Sequence, residues 1–520
     1  MSAVKGAGVP GAGYDVVVVG GGILGLGVLW DLSLRGIRAL LLEKAFPGAG
    51  TSGRFHGLLH SGGRYAVSDP ALAAECAREN RRLRHLAGWC VDARWGLFLR
   101  LPGDDPAYEA VWREACLRAG IPARPLPPAA LGRLVPHLDD VRAAYRVPDA
   151  SIDGFSLLEA LRLDACRRGA CVLLGASVTA MEVTGGRISG LLIQGPDGPR
   201  ELHPKVVVNA AGTGAGPLAA LAGLDLPLLL QQGTMAVYPG RPLDCVLNRL
   251  RPPADGDIIV PSASTLLAGT TAVTVTGREA AQPAPGQDEI ELVRRQAAEL
   301  LPALGRCRVL RVYAGVRVLP HPVTWPAGGS RESRAIPRDA LLVDHSRDGV
   351  RGLITVVGGK FTTFRAVAEQ VADLVVSHLG AGTRSPSART ALPPPPWLHH
   401  RPALLHPPRT SAGGWVLCDC ERVTAARVLA AWDPEQGLDG LRRRVRLGMG
   451  VCQGALCLPR AAELLVGAGL LDAGTAACQL ADCLRERWRG LAPLGTQGAS
   501  RTATTFFHAL APREASTLAL

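Results

Sequence analysis

Apolar residues along this chain follow two rhythms, one of strands covered on both faces and one of helices. Val16-Val17-Val18-Val19 is an unbroken β-branched run, the pattern of a strand buried on both sides. Gly20-Gly21-Gly22-Ile23-Leu24-Gly25 follows at once, and apolar periodicity predicts a helix from about Ile23 to Leu34, stopping at Arg35-Gly36. Ala39-Leu40-Leu41-Leu42 predicts a second strand ending on Glu43. The alternation then recurs. Helices are predicted over 71–86, 157–168 and 289–300, and strands over 97–101, 145–148, 172–174, 178–183, 205–212, 228–238, 257–260, 266–271 and 313–317. Leu353 to Val357 predicts one more strand, followed by Gly358-Gly359-Lys360 and a helix reaching about Leu379.

Strand–glycine–helix units at both ends, with other strands between them, imply an α/β fold. A Rossmann-like dinucleotide-binding domain should be interleaved with an antiparallel-sheet substrate domain over residues 14–380. Residues 381–414 carry Pro393 to Pro396 in a row and no apolar period, the pattern of a semi-extended linker. Residues 415–490 form a small, mostly helical last domain that holds Cys418, Cys420, Cys452 and Cys457.

Composition narrows the class. At 520 residues and 47% hydrophobic, the chain has material for two or three domains with a substantial core. It carries no apolar run long enough to cross a membrane and no secretion signal, which points to the cytoplasm. The formal charge is +12, yet nearly all the cations are Arg, with Lys only at 5, 44, 205 and 360. A bias of that kind looks like genome composition, so a single Arg means little. Anionic substrates or lipid would suit the charge, and no nucleic-acid motif accompanies it. Nine of the 13 Cys are scattered, at 76, 90, 116, 166, 171, 245, 307, 478 and 483, and read as buried small apolar side chains.

The chemistry starts at the glycines. Gly20 permits a tight turn, Gly22 lets backbone approach a pyrophosphate, and Gly25 lets helix pack close to strand. The helix N-terminus faces the phosphates, and Glu43, 18 residues after Gly25, stands where a carboxylate can hold ribose hydroxyls. A loop with Thr51 and Ser52 follows, then His56-Gly57-Leu58-Leu59-His60-Ser61-Gly62-Gly63-Arg64-Tyr65, whose Gly and His density suits backbone laid against a flat ring. A plain connecting loop is the alternative. The strand that ends in Ala210-Ala211-Gly212 offers small residues to the same ligand, and Gly358 to Thr362 offers a second helix N-terminus.

The motifs GGGILGLG, GRFHGLLHSGGRYAVSD, VVNAAG, YAGVRVLP and VVGGKFTTFR follow one another in an order that resembles FAD-dependent glycerol-3-phosphate dehydrogenases. The last domain is similar to the C-terminal extension of the anaerobic enzyme's large (A) subunit, and so to the small iron–sulfur domain named after bacterioferritin-associated ferredoxin. The resemblance implies FAD and oxidation of sn-glycerol 3-phosphate to dihydroxyacetone phosphate. It also implies partner flavin and iron–sulfur subunits, membrane quinone as the final acceptor, and a peripheral place on the inner face of the cell membrane.

By that resemblance the cofactor would be held by Gly20, Gly22, Gly25, Glu43, Thr51, Ser52, Val178, Gly212, Gly359, Lys360 and Thr362. Arg64, Arg317 and Arg338 are the phosphate candidates, with Tyr65 as a hydroxyl partner. Lys360 would place positive charge near the flavin ring. The single-chain aerobic relatives carry a Ser-His pair where this chain reads Gly233-Thr234-Met235, so the proton acceptor falls to His60 or His56, each of which can equally order its loop. Cys418, Cys420, Cys452 and Cys457 fit a [2Fe–2S] cluster, with zinc as runner-up. Arg442, Arg443, Arg444 and Arg446 read either as a solvated face or as a basic rim for an electron-transfer partner. Two rivals stay open: an FAD-dependent amine or amino-acid dehydrogenase subunit, and a redox relay or scaffold subunit with no substrate chemistry of its own.

Overall fold

The computed structural model describes residues 13–135, 138, 140–321, 340–400 and 415–495. Val16–Val19 lies at the centre of a six-stranded sheet, pairing in parallel with Ala39–Glu43 on one side and Val206–Asn209 on the other. The full order is Ala340–Asp344, Leu353–Gly358, Val206–Asn209, Val16–Val19, Ala39–Glu43 and Cys171–Leu174, and only the Ala340–Asp344 edge runs antiparallel. Alternate residues divide between two cores. Val16, Val18, Ala39 and Leu41 pack against the helices Ile23–Leu34, Gly154–Arg167 and Phe364–Leu379. Val17, Val19, Leu40 and Leu42 pack against a three-stranded antiparallel sheet through Met181, Leu191 and Ile193. Covering on both faces is why these strands read as continuous apolar runs.

That small sheet, Ser177–Thr184, Arg187–Gly195 and Gly198–Leu202, turns on two hairpins. It contains Val178. Its last two strands carry too many polar residues on their open face to stand out in the apolar pattern.

The second sheet has nine strands and forms the floor of the other half. Its backbone is the pair Leu228–Pro239 and Arg311–Pro320, antiparallel in register from Leu228 opposite Pro320 to Val237 opposite Arg311. The sheet departs from a purely antiparallel one at a single pairing, Val246–Arg249 alongside Gly96–Arg100 in parallel. The chain passes between the two sheets several times, so the two halves are interleaved, as the motif order predicted.

Among the described residues the C-terminal region folds as four helices, Ala425–Ala431, Gly437–Val445, Cys457–Gly467 and Ala473–Leu491, around a core of Leu417, Val428, Leu441, Val445, Leu458, Leu465 and Leu484. The stretch leading to it is strapped down rather than loose. Arg35 donates to Thr383 O at 2.9 Å, Leu392 N donates to Leu86 O at 2.9 Å, and Trp397 is buried in the C-terminal core. The rest of the proline-rich segment, 401–414, lies outside the described residues.

The arginine row is not a solvated face. Arg442, Arg443 and Arg444 are buried, and they join the C-terminal helices to the first half of the chain. Arg443 stacks 3.4 Å over the Phe46 ring, and Arg444 bonds Asp433 at 2.6 Å and the buried Glu159 at 3.4 Å. Arg446 pairs with Glu421 at 2.9 Å and reaches Ser262 Oγ at 3.2 Å. Among the scattered cysteines, Cys478 is exposed, and Cys166, Cys171 and Cys307 are half-buried. Among the described residues no helix is long and apolar enough to cross a membrane.

Candidate functional site

The glycine turn divides into scaffold and cradle. Gly20 sits at φ +112°, and a Cβ there would come 2.5 Å from Ala210 O. At Gly25 it would overlap Gly20 O at 1.9 Å, so the helix could not approach the strand. At Gly22 a Cβ would meet only Ser52 Oγ, at 3.2 Å. Gly22 is therefore not required by the chain's own packing; it leaves room in front of the helix. Ser52 Oγ accepts from Ile23 N at 2.9 Å, which holds the Thr51–Gly53 turn against that end. Glu43 accepts from Gly21 N at 2.7 Å and Ala45 N at 2.8 Å, which keeps its carboxylate at the mouth of the turn. Ala176 N donates to Glu43 O at 3.0 Å, so Val178 stands beside the end of that strand. Gly212 and Gly359, both at positive φ, turn the chain after two neighbouring strands of the same sheet. An open cradle, a helix N-terminus and a carboxylate at the second strand fit the pyrophosphate and ribose of a dinucleotide.

The histidine loop is fastened by backbone bonds. His60 N donates to Thr362 Oγ1 at 3.0 Å, and Asn80 Nδ2 donates to the carbonyls of Leu59 and His60 at 3.1 Å each. Ser61 N donates to Asp149 Oδ1 at 2.6 Å. Burial pushes the Asp149 carboxyl above its ordinary value, against the pull of Ser61, Asn248 and Arg84. These bonds gather residues distant in sequence. Lys360 Nζ lies 4.3 Å from the Tyr65 ring centroid, the His60 and Tyr65 rings are 5.3 Å apart, and Phe55 stacks on Phe361 at 4.1 Å. The His56 ring meets the His60 ring edge-on at 5.2 Å.

Two of the three candidate phosphate arginines border one corner of the second sheet. Arg317 donates to Thr271 O at 3.1 Å, Thr270 Oγ1 at 2.6 Å and Gln231 Oε1 at 3.3 Å. Arg64 donates to Ala254 O at 2.9 Å and pairs with the buried Asp257 at 3.2 Å. Gly256 N donates to Thr270 O at 3.1 Å, which ties the two sides of the corner together. Arg338 lies outside the described residues. The strand of Arg317 also runs along the Thr51 loop, for Tyr313 donates its hydroxyl to Phe55 O at 3.1 Å.

A half-buried carboxylate behind this corner escaped the sequence pattern. Glu289 accepts from Thr234 Oγ1 at 3.0 Å, from Gln232 Nε2 at 2.9 Å and from the Thr271 hydroxyl. Gly233 has its own reason, since a Cβ there would come 2.5 Å from Arg317 Nη2. Gly233 thus makes space for the guanidinium, Thr234 faces Glu289, and Met235 is buried in the sheet. None of the three presents a base. The only sequence signal for Glu289 was its place in the first turn of a helix, where acids are common anyway.

The four C-terminal thiols meet one another. Cys457 contacts Cys418 and Cys452, and Cys452 contacts Cys420. Gly448 N donates to Cys457 Sγ at 3.3 Å and Cys452 N to Cys420 Sγ at 3.4 Å. Among the described residues, no group of three or more His, Cys, Asp or Glu side chains has the arrangement of a preformed metal site.

A Rossmann-like sheet, an open glycine cradle and a basic corner on the strand beside the Thr51 loop define a flavoprotein class. The profile described as FAD dependent oxidoreductase matches residues 15–374. The A subunit of the anaerobic glycerol-3-phosphate dehydrogenase of Escherichia coli (strain K12) is 36% identical over 94% of this chain and 94% of that protein. The A1 subunit of the Haloferax volcanii enzyme of the same name is 37% identical over 92% of this chain and 86% of that protein. The chain belongs to the FAD-dependent oxidoreductases and, among them, to the family of anaerobic glycerol-3-phosphate dehydrogenase A subunits. Solved structures agree on the fold. The glycerol-3-phosphate dehydrogenase from Bacillus halodurans complexed with FAD superposes with a TM-score of 0.57 at 19% identity, covering 96% of this chain and 94% of that one. The L-proline dehydrogenase from P. horikoshii gives 0.57 at 20% identity, covering 72% and 96%.

Proposed function

We propose that this chain oxidises sn-glycerol 3-phosphate to dihydroxyacetone phosphate as the FAD-carrying subunit of a quinone-linked complex. The observation that carries the reading is that Arg317 and Arg64 are held by two loops tied together through Gly256 N and Thr270 O, with Lys360 over Tyr65 in the histidine loop. A phosphate monoester needs clustered cations, and the planar guanidinium fork suits its oxygens. Arg317 is held by three acceptors, so little side-chain freedom is lost when an anion arrives. Arg64 shares Asp257 with Arg251, which keeps its charge at the rim of the same corner. Arg338 is the proposed third cation.

FAD, held by Gly20 to Gly25, Glu43, Thr51, Ser52, Val178, Gly212, Gly359, Lys360 and Thr362, supplies the hydride acceptor when bound. The protein's part is to orient the substrate C2 carbon and to take the hydroxyl proton. An imidazole nitrogen of His60 is the proposed acceptor for that proton, because its backbone is fixed to Thr362 and its ring faces Tyr65. Lys360 adds positive charge where negative charge develops. Cys418, Cys420, Cys452 and Cys457 are proposed to hold a [2Fe–2S] cluster, a one-electron carrier, with zinc as runner-up. Partner flavin and iron–sulfur subunits on the inner face of the membrane would complete the path to quinone, in keeping with the naming of the relatives as one subunit of a larger enzyme.

The test is anaerobic addition of glycerol 3-phosphate to the purified flavoprotein, followed by absorbance. Bleaching of the flavin is expected, and Arg317→Ala should raise the concentration for half-reduction at unchanged flavin content. Losing one partner of a desolvated charge pair costs about 2–5 kcal/mol, roughly 30-fold or more in saturation. Unchanged saturation, or faster reduction by an amino acid, would refute the phosphate reading.

A further inference from the structure

The helix Ala473–Leu491 buries a cation that its surroundings do not neutralise. Arg487 is 3% exposed, and among the described residues its one hydrogen bond runs from Nη1 to Gln453 Oε1 at 2.8 Å. Its Nε and Nη2 are fully buried without a hydrogen-bond partner. Among the described residues no carboxylate lies within ion-pair reach of it, while two more guanidinium groups, Arg311 and Arg442, stand close by. A buried charge left this way is unfavourable unless an opposite charge faces it.

What faces it is the cysteine loop. A Cβ at Gly448 would come 3.0 Å from Arg487 Nη2, so glycine is what lets the guanidinium in. The same Gly448 donates its N–H to Cys457 Sγ at 3.3 Å. Gln453, which holds Nη1, directly follows Cys452 and donates to Gly450 O at 2.8 Å. Cys452 and Cys457 are thus the groups able to carry negative charge that stand nearest on this side of Arg487. Neutral thiols would not balance it. Four thiolates around a metal group would, since they leave a net negative charge.

We propose that Arg487 is the internal counter-charge of an anionic, thiolate-held metal group, and that it raises the reduction potential of that group. The inference rests on reading the four cysteines as metal ligands. Reduction adds one electron and one negative charge with no bond made or broken, so a fixed cation favours the reduced form. A bystander Arg487, merely bracing Gln453, would leave the potential where it is.

The experiment uses the full-length protein. Iron, sulfide and zinc analysis of the wild type decides the underlying reading: neither metal overturns reading and inference together, while stoichiometric zinc, which has no redox couple, overturns the iron assignment and the effect on potential and leaves the counter-charge to the second arm below. With iron present, an anaerobic redox titration followed by electron paramagnetic resonance compares wild type, R487K and R487Q. At the wild-type midpoint, R487Q should show the oxidised-to-reduced ratio raised about tenfold, or ~59 mV for one electron. R487K should recover at least half of that shift. An unchanged potential in R487Q at full iron content overturns the proposal, as does loss of the metal from both variants. With either metal, R487M adds a second arm through thermal unfolding before and after chelation under reducing conditions. A counter-charge predicts a crossover, in which wild type is the more stable when loaded and R487M the more stable when stripped. Wild type being more stable in both states assigns Arg487 a bracing role and overturns the inference.

Discussion

Gly22 and Gly25 are three residues apart and fail in different ways when replaced. A side chain at Gly25 runs into Gly20 O, so even alanine should strain the strand–helix junction and lower the melting temperature of the whole chain. A side chain at Gly22 has only Ser52 Oγ in front of it and fills space that the pyrophosphate needs. Gly22→Leu should therefore give soluble, folded protein with little flavin, whereas Gly25→Ala should give little folded protein. Flavin absorbance and circular dichroism on both variants check the contrast, and full flavin occupancy in Gly22→Leu would remove the cradle from this turn. The glycine turn was legible because each glycine answers to a contact within one strand–turn–helix unit. The meeting of Lys360 with Tyr65 was not, because it depends on how two distant loops cross. Glu289 was invisible for the same reason, since its hydroxyl donors sit on another strand, at Thr234, and on a strand connection, at Thr271.

At the scale of elements, the helix Gly437–Val445 shows how a charge pattern misleads. Three consecutive arginines look like a water-facing surface when only the helix is considered. Their carboxylate and aromatic partners lie partly on other elements, and Glu159 belongs to a helix nearly three hundred residues earlier in the chain. Burial raises the Glu159 carboxyl, but Arg162 and Arg444 more than offset this and hold it below the ordinary glutamate value. A carboxylate depressed in the folded state stabilises above its unfolded pKa, and that contribution is lost as pH falls through the folded value. The joint between the helices Gly154–Arg167 and Gly437–Val445 should thus loosen in acid. Arg444→Met should cost about 3 kcal/mol at neutral pH by leaving Glu159 short of a partner. Glu159→Gln should flatten the acid limb of the melting-temperature profile. A wild-type profile as flat as that of Glu159→Gln would show the pair to be inert. The apolar strands, by contrast, were legible throughout, because burial on both faces writes itself into every residue of the run.

Across the whole molecule, the cysteine-bearing helices are docked and not tethered. Arg446 and Glu421 hold them to Ser262 and Ser264 on the second sheet, and Gly490 packs on Val312 of the strand that carries Arg317. The proline-rich composition suggested a semi-extended linker, yet within the described part of that segment, residues 381–400, Thr383 and Leu392 are bonded to the first half and Trp397 is buried in the last. A protease site placed between residues 401 and 414 should therefore, once cut, leave two pieces that co-elute in size-exclusion chromatography at moderate salt. Separation after cutting would mean that the joint depends on chain connectivity.

The seat on Ser262 and Ser264 also sets how the two parts can communicate. A carrier that swings must diffuse between stations, and its rate falls as the solvent thickens. Here the cysteine loop is seated by a packed joint, so the electron exchange proposed above would have no search step. Its rate should stay constant as glycerol or sucrose raises the viscosity, while docking of any outside partner slows.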